Sequence, residues 1–284
     1  MQDDRVLRLR SGQVFHQLAD DLLKARDTAR PVTRPTDRSV GLDLDTGYQV
    51  GHILHQRLVE RGYQPVGRKI GFTNPATWKE FDLQTPIWAH MYAQTVHFAN
   101  QGVLRLSVRG MTMPRIEPEV VLKLSQPVPA GNLSAEELAA HIDWAAIGFE
   151  VVDCHYAGWK FAAADVVADF GLHAALVVGI PWQMKSQERE QVATQLQTLQ
   201  VKLRRGEEIV AEGEGRNALG SPLLALGHLA RVLAAQPWAP ALAGGEIITT
   251  GTLTPLPYIS SGEHWSVQVT GVPIAPLELE LDDH

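Results

Sequence analysis

The sequence contains a single cysteine, Cys154, among its 284 residues. One cysteine excludes internal disulfide bonds and is typical of proteins from reducing compartments, so we expect a cytoplasmic protein. The first ten residues, MQDDRVLRLR, are charged and lack the apolar segment of a secretory signal.

Long hydrophobic runs and an excess of basic charge are also missing. The longest apolar run, residues 174–182, is interrupted by Gly179 and Pro181 and is far shorter than the ~20 residues of a membrane helix. The net charge is -7, from 25 basic and 32 acidic side chains, and the basic ones are scattered. We therefore expect neither a membrane nor a nucleic acid as a partner.

The chain has no glycine-rich phosphate loop, no Gly-x-Ser-x-Gly nucleophile elbow and no zinc-binding pattern. Its most informative residues are instead three carboxylates in strand-like segments: Glu117 and Glu119 in RIEPEVVLK, and Glu150 in IGFEVVD. Alternate residues of a strand share a face, which places Glu117 and Glu119 about 7 Å apart on one side.

Carboxylates in apolar strands predict a metal site. Burying several acids together is very unfavourable unless a cation or protons neutralise them. Oxygen ligands without nearby cysteine or histidine suit Mg²⁺, Mn²⁺ or Ca²⁺ better than zinc. The alternative interpretation is an exposed acidic edge strand, because Pro118 has no amide N–H to donate to a neighbouring strand.

The hydrophobic pattern indicates helices followed by strands. It predicts two N-terminal helices over residues 12–30 and 46–61, then helices after Ser134, at 162–167 and from Pro222. Strands are predicted at 65–71, 95–98, 114–124, 142–153, 172–179, 197–203, 209–213, 245–251 and 265–270, with a hairpin turn at 204–207. We predict an α+β fold of mixed, mostly antiparallel strands, with a helical N-terminal region at 1–62 and a catalytic β-roll at 63–284.

Six segments carry a family pattern when they are taken in order: GRKIGFT at 67–73, IEPE at 116–119, GFE at 148–150, DVVAD at 165–169, GSPLLAL at 220–226 and GTLT at 251–254. Together they resemble the 2-keto-4-pentenoate hydratase and 4-oxalocrotonate decarboxylase branch of the fumarylacetoacetate hydrolase superfamily. The resemblance covers nearly the whole chain, from about residue 10 to the C-terminus.

The resemblance implies the superfamily's β-roll, a Mg²⁺ or Mn²⁺ ion, a small 2-oxo acid as substrate, and assembly into a homo-oligomer. The family's metal ligands correspond to Glu117, Glu119 and Glu150. Its active-site lysine corresponds to Lys69, and its carboxylate-binding segment to Gly251 and Thr252. From the residues alone, a solvated lysine at a strand end is the favoured interpretation of Lys69, and the family resemblance reverses that preference.

Two segments depart from the family pattern. QTPIWA at 84–89 lacks the acid expected there, and FGLH at 170–173 replaces a small hydroxyl side chain and introduces an imidazole. His173 is the obvious substitute base, since histidine exchanges protons near neutral pH, although a lone histidine before an apolar run is also typical of packing. His90 or Tyr92 are further candidates to replace the acid.

The neighbouring cations allow several interpretations. Arg115 shares a strand face with Glu117, so it can orient a ligand or substrate, or pair with an acid. Arg68 faces away from Lys69 and is expected in a surface ion pair. His155 and Lys160 follow the third ligand and are expected at the rim of the site.

The resemblance implies a metal-dependent lyase, and first of all a hydratase of 2-hydroxypenta-2,4-dienoate-type acids in the degradation of aromatic compounds. An acid that chelates the metal through its carboxylate and 2-oxo oxygen lets the cation stabilise the developing enolate. Decarboxylation of 2-oxo-3-hexenedioate (4-oxalocrotonate) is the first alternative. Hydrolysis of a C–C bond in an acylpyruvate, and non-catalytic binding of a metal or ligand, are the others.

Overall fold

The computed structural model describes residues 2–38, 41–184 and 188–284. Six helices of five or more residues lie in this part of the chain: α1 Gln2–Thr28, α2 Leu44–Glu60, α3 Ala135–Ala139, α4 Ala163–Ala168, α5 Arg189–Thr198 and α6 Pro222–Ala234. None of the helices in these ranges is long and apolar enough to cross a bilayer.

Thirteen strands accompany these helices in the described ranges. They are β1 Pro65–Gly71, β2 Ile87–Tyr92, β3 Val96–Phe98, β4 Val103–Ser107, β5 Pro114–Leu124, β6 Ile142–Asp153, β7 His173–Val178, β8 Trp182–Gln183, β9 Gln200–Arg205, β10 Glu208–Glu214, β11 Ile247–Thr252, β12 His264–Thr270 and β13 Leu277–Asp282.

The strands form two curled sheets. The larger has the order β2-β1-β11-β5-β6-β7-β3, with β8 beside β6, and the smaller has the order β10-β9-β12-β13-β4. Three pairs are parallel, β1 with β11, β13 with β4 and β3 with β7, while the others are antiparallel. The predicted α+β class with mostly antiparallel strands is confirmed, and so is the hairpin between β9 and β10.

The central strands β5 and β6 are buried on both faces, which explains their near-continuous apolar sequences. One face, with Ile116, Val120 and Phe149, joins the main hydrophobic core. Residues of the other face, including Val121 and Ala146, form a second, smaller apolar cluster. This second face also carries Glu117, Glu119 and Glu150, as the alternation of side chains along β5 and β6 requires.

The N-terminal helices pack into the same core as the strands. Leu18 and Leu22 of α1 and Leu54 of α2 are almost fully buried within it. Helix α2 begins at a capping box, in which the Asp43 side chain accepts from the Thr46 amide. The main hydrophobic core thus contains residues from both sides of position 62. The domain boundary at residue 62 stays a prediction.

Several elements differ from the sequence-based expectation. The prediction lacks strands β2, β4, β8 and β13, although β13 (LELELD) alternates in the regular way of a half-buried strand. The strand predicted at 197–203 begins only at Gln200, because the residues before it form helix α5. That helix was missed since only Val192, Ala193 and Leu196 bury apolar side chains in a polar segment.

The side chain of Asp165 ties the N-terminal region to α4. It is fully buried and accepts hydrogen bonds from the Thr36 amide (2.9 Å), the Thr36 hydroxyl (2.8 Å) and the Ala162 amide (2.9 Å). The carboxylate therefore caps the first turn of α4 and fastens the loop between α1 and α2.

Asp165→Ala is expected to lower the free energy of unfolding by about 3 kcal/mol, because buried donors lose a charged acceptor. Urea denaturation measures the change. Asp37→Ala is the control: this carboxylate is half exposed and pairs with Arg34 on the surface, so its loss should cost under about 1 kcal/mol. Equal effects of the two substitutions would contradict the structural role given to Asp165.

Candidate metal centre and active site

Strand pairing brings the three glutamates together. Glu117 and Glu119 project from the same face of β5, and Glu150 of β6 lies directly opposite Glu117 in the antiparallel register. One carboxylate oxygen from each residue lies within 4.8 Å of the others. The predicted set of Glu117, Glu119 and Glu150 is therefore a single cluster in space, with Glu119 and Glu150 fully buried and Glu117 partly exposed.

Two of the carboxylates each keep one buried oxygen without a partner among the described residues. Glu119 Oε2 accepts from the Gly251 amide at 2.7 Å, while its Oε1 is unpaired. Glu150 Oε1 is 2.9 Å from His173 Nδ1 and 3.0 Å from Lys69 Nζ, while its Oε2 is unpaired. Unpaired buried oxygens beside a third carboxylate are the donor set of a hard divalent cation.

Burial makes this cluster costly in the absence of a cation. It raises the pKa of Glu117 to about 7, against the opposing effect of Lys69. Burial and the charges of Glu150 and Glu117 raise the pKa of Glu119 as well. Glu150 differs, because Lys69 and the hydrogen bond from His173 outweigh burial and hold its pKa below the usual value.

Lys69 lies on the same side of the sheet as the glutamates. In the strand register, Lys69 lies opposite Thr249 of β11, and Thr249 lies opposite Val121 of β5. Residues opposite each other in neighbouring strands share a face, and Val121 is on the same face of β5 as Glu117 and Glu119. Its ammonium donates to the Gly171 carbonyl at 2.8 Å and contacts Glu150. Burial acts to lower the pKa of Lys69, but the three carboxylates raise it, so the side chain stays charged. When all three glutamates are ionised, their three negative charges and the one positive charge of Lys69 leave two negative charges, which a divalent cation balances.

A cavity of about 840 Å³ opens beside the cluster. Among the described residues, the ionisable side chains that line it are Lys69, Arg115, Glu117, Glu119 and Arg216. Gly251 and Thr252, predicted to bind a substrate carboxylate, also line it. The Gly251 amide, however, donates its hydrogen bond to Glu119, at a point where the pairing of β11 with β5 is irregular. In this structure the amide therefore orients a predicted metal ligand.

The predicted bases lie outside this cavity. His173 is buried, and its two ring nitrogens are 2.9 Å from Glu150 Oε1 and 2.9 Å from the Thr95 hydroxyl. It therefore supports Glu150 and does not face a substrate. His90 pairs in register with Arg68, on the face of the sheet opposite Lys69, where its ring stacks on His55 at 4.0 Å. Tyr92 is buried there as well and bonds to His55.

Two further expectations need correction. Arg68 does pair with an acid, Glu246, at 3.4 Å, but the pair is largely buried and the guanidinium also lies over Trp88. His155 is not at the rim: it is buried and bonded to Asp169 at 2.8 Å. Burial favours its neutral form, yet the two neighbouring aspartates raise its pKa.

Sequence reasoning missed the surroundings of Arg115. The rings of Trp159 and Tyr258 each lie 4.1 Å from its guanidinium carbon. Both aromatic residues lie outside the predicted elements, so no periodic pattern marks them. Only their positions after the third ligand and after the GTLT segment could have drawn attention to them.

A curled mixed sheet that carries three carboxylates and a lysine on one face is the arrangement of a divalent-metal-dependent enzyme. The chain belongs to the fumarylacetoacetate hydrolase family, because the family profile described as Fumarylacetoacetate (FAA) hydrolase C-terminal matches residues 62–278. The resemblance inferred from the six motifs is thereby confirmed.

Similar proteins carry the names of two related activities. The 2-keto-4-pentenoate hydratase 2 of Dechloromonas aromatica (strain RCB) is 29% identical over 259 residues, covering 90% of this chain and 94% of that protein. The 4-oxalocrotonate decarboxylase of Pseudomonas putida is 26% identical over 255 residues, covering 90% and 92%. The structure of 4-oxalocrotonate decarboxylase from Pseudomonas putida G7, complexed with magnesium and adipate, superposes with a TM-score of 0.85 at 24% identity over 95% of this chain and 97% of that one. The last match confirms the predicted fold type.

Glu119→Gln is expected to abolish most of the stabilisation that Mg²⁺ or Mn²⁺ confers, without destabilising the metal-free protein. The amide keeps an acceptor for the Gly251 N–H but removes a buried negative charge. A cation at 100 times its dissociation constant should raise the unfolding free energy of the unaltered protein by about 2.7 kcal/mol. Thermal unfolding with and without metal measures both effects.

Glu278→Gln serves as the control for that experiment, since Glu278 is half exposed on the smaller sheet. It should leave the metal-induced rise in Tm unchanged. If Glu119→Gln also leaves that rise intact, Glu119 is not a metal ligand.

Proposed function

We propose that the protein is a divalent-metal-dependent lyase that hydrates a 2-hydroxypenta-2,4-dienoate-type acid in the breakdown of aromatic compounds. The observation that carries the proposal is the cluster of Glu117, Glu119 and Glu150 beside the charged Lys69. Glu117, Glu119 and Lys69 line one cavity. The hydratases among its relatives support the choice of reaction.

Glu117, Glu119 and Glu150 would hold the Mg²⁺ or Mn²⁺ ion, with the unpaired oxygens of Glu119 and Glu150 directed to it. A divalent ion there supplies electrostatic stabilisation for negative charge on the substrate's 2-oxo oxygen and carboxylate. His173 acts as a positioning residue, because its bond to Glu150 Oε1 fixes the carboxylate.

Lys69 is the residue of this chain best placed to move a proton. Its ammonium lines the cavity and is held by Gly171 and Glu150. It can donate a proton, or a hydrogen bond, to the dienol acid as water adds and a 4-hydroxy-2-oxo acid forms. Thr252, whose hydroxyl bonds to the Thr254 carbonyl at 2.8 Å, would complete the wall beside the substrate.

Decarboxylation of 2-oxo-3-hexenedioate is the second candidate. In the described part of the chain, the cavity wall carries no histidine, aspartate or tyrosine, so Lys69 and the glutamates are the groups available to activate water. Loss of CO₂ requires the same stabilised enolate but no base that activates water. A wall without histidine, aspartate or tyrosine among the described residues favours this alternative, and a 4-oxalocrotonate decarboxylase is among the relatives.

The cellular setting is part of the proposal. A reducing, cytoplasmic environment fits the single buried cysteine, Cys154. Assembly into a homo-oligomer rests on the family resemblance, and light scattering of the purified protein would measure it.

The reaction is tested by following the ultraviolet absorbance of 2-hydroxypenta-2,4-dienoate and of 2-oxo-3-hexenedioate with and without Mg²⁺ or Mn²⁺, with products identified by mass. We expect metal-dependent gain of water from the first compound. Metal-dependent loss of CO₂ from the second would establish the alternative instead. Failure of both reactions in protein that binds metal would contradict the proposed function.

Lys69→Met is expected to lower kcat about 10²- to 10⁴-fold, the usual contribution of a proton donor or acceptor. Metal binding should persist, because the three glutamates remain. Lys202→Met is the control, since that lysine is half exposed and pairs with Glu212 on the other sheet. A Lys69→Met protein with unaltered kcat would remove Lys69 from the reaction.

A further inference from the structure

Arg115 lies in the same cavity as the metal cluster but has no role in holding it. It precedes Glu117 by two residues on β5 and lines the cavity wall. Its backbone is fixed on both sides, because β5 pairs with β6 at Val152 and with the segment around Tyr258. Residues two apart on a strand lie about 7 Å apart on the same face.

The guanidinium lies over two aromatic rings. Trp159 and Tyr258 approach it at 4.1 Å each, and the two rings are nearly perpendicular, at 89°. Aromatic contacts with a guanidinium stabilise the cation and remove water from its faces. The in-plane N–H groups keep their geometry for hydrogen bonds to a planar anion.

Arg115 differs from the other cations of the cavity in having no anionic partner. Lys69 is bound to Glu150 and Gly171, and Arg216 is paired with Glu214 at 3.2 Å. Within residues 2–38, 41–184 and 188–284, no carboxylate pairs with Arg115, and its buried Nε donates to no acceptor. An ordered guanidinium without an anion, inside a ligand cavity, is prepared to bind a carboxylate through two N–H donors.

We propose that Arg115, held by Trp159 and Tyr258, binds the second carboxylate of a dicarboxylic 2-oxo acid. The inference rests on the proposed function, in which the first carboxylate and the 2-oxo oxygen lie at the metal cluster. An extended chain of six carbons, with bonds of ~1.5 Å, is about as long as the distance between alternate residues of a strand, here Arg115 and Glu117. Such a chain can therefore place one carboxylate at the metal cluster and the other at Arg115. Among six-carbon acids of the 2-hydroxydienoate type, Arg115 thus favours those with a second carboxylate over their monocarboxylic counterparts, whichever bond the enzyme makes or breaks. The five-carbon parent compound, 2-hydroxypenta-2,4-dienoate, would bind without this contact.

The test compares two unreactive 2-oxo acids of equal length, 2-oxoadipate and 2-oxohexanoate, by calorimetric titration of the Mg²⁺-loaded protein. We expect the dissociation constant of 2-oxoadipate to be at least tenfold lower. Arg115→Met should bring the ratio of the two constants close to one, while Arg115→Lys should retain part of the preference because it keeps the charge without the bidentate geometry.

Arg216→Met is the matched control, since it removes another arginine of the same wall, one already paired with an acid. It should leave the ratio unchanged. Tyr258→Leu replaces a half-exposed ring and tests the aromatic contact while Arg115 itself is unchanged. It should reduce the ratio of the two dissociation constants severalfold. This variant keeps the proposal testable if Arg115→Met fails to fold.

The proposal is overturned if the unaltered protein binds both acids equally or binds neither. It is also overturned if Arg115→Met changes the ratio no more than Arg216→Met does. Because these are binding measurements, a preference that depends on Arg115 would stand even if neither dienoate were converted. In that case the proposed reaction fails and the carboxylate site remains.

Discussion

The structure depends on one electrostatic constraint: three carboxylates, two of them fully buried and one partly exposed, lie together on one face of a curled sheet. Desolvation of Glu117, Glu119 and Glu150 is unfavourable, and Lys69 offsets only part of it. A divalent cation neutralises the remainder. Neighbouring groups serve the same cluster, since His173 and Gly251 each fix one oxygen of a glutamate and leave the other free.

The sequence predicted much of this site because strand periodicity is local. Glu117 and Glu119 share a face in any β-strand, so their pairing needed no tertiary information. The register that places Glu150 opposite Glu117, and the parallel neighbour that brings Lys69 alongside, involve residues far apart in sequence. The apolar segment around Glu150 marked that residue as a candidate ligand without any family information, whereas the family resemblance supplied the assignment of Lys69. His90 could not be placed in the same way, because one residue of register decides which side of a sheet a side chain faces.

The errors in the fold prediction have a similar origin. Strand β2 is buried on nearly all sides, so its sequence is a short apolar run without alternation. Helix α5 is polar and shows little helical periodicity. Tertiary packing determines both elements, and it is not visible in a window of a few residues. Departures from the family pattern lie in the segments at 84–89 and 170–173, and the aromatic residues around Arg115 also lie beside the metal cluster in connecting segments. A charged centre on rigid strands, with substrate-contacting residues in the segments around it, is a way in which one fold can accommodate different substrates.

The most direct test of the metal assignment is an anomalous difference map from crystals of the protein grown with Mn²⁺. One strong peak bounded by the carboxylates of Glu117, Glu119 and Glu150 is the predicted result, with the unpaired oxygens of Glu119 and Glu150 among the ligands. A map with no peak at this cluster, or with Mn²⁺ bound only elsewhere, would contradict the assignment and with it the proposed chemistry.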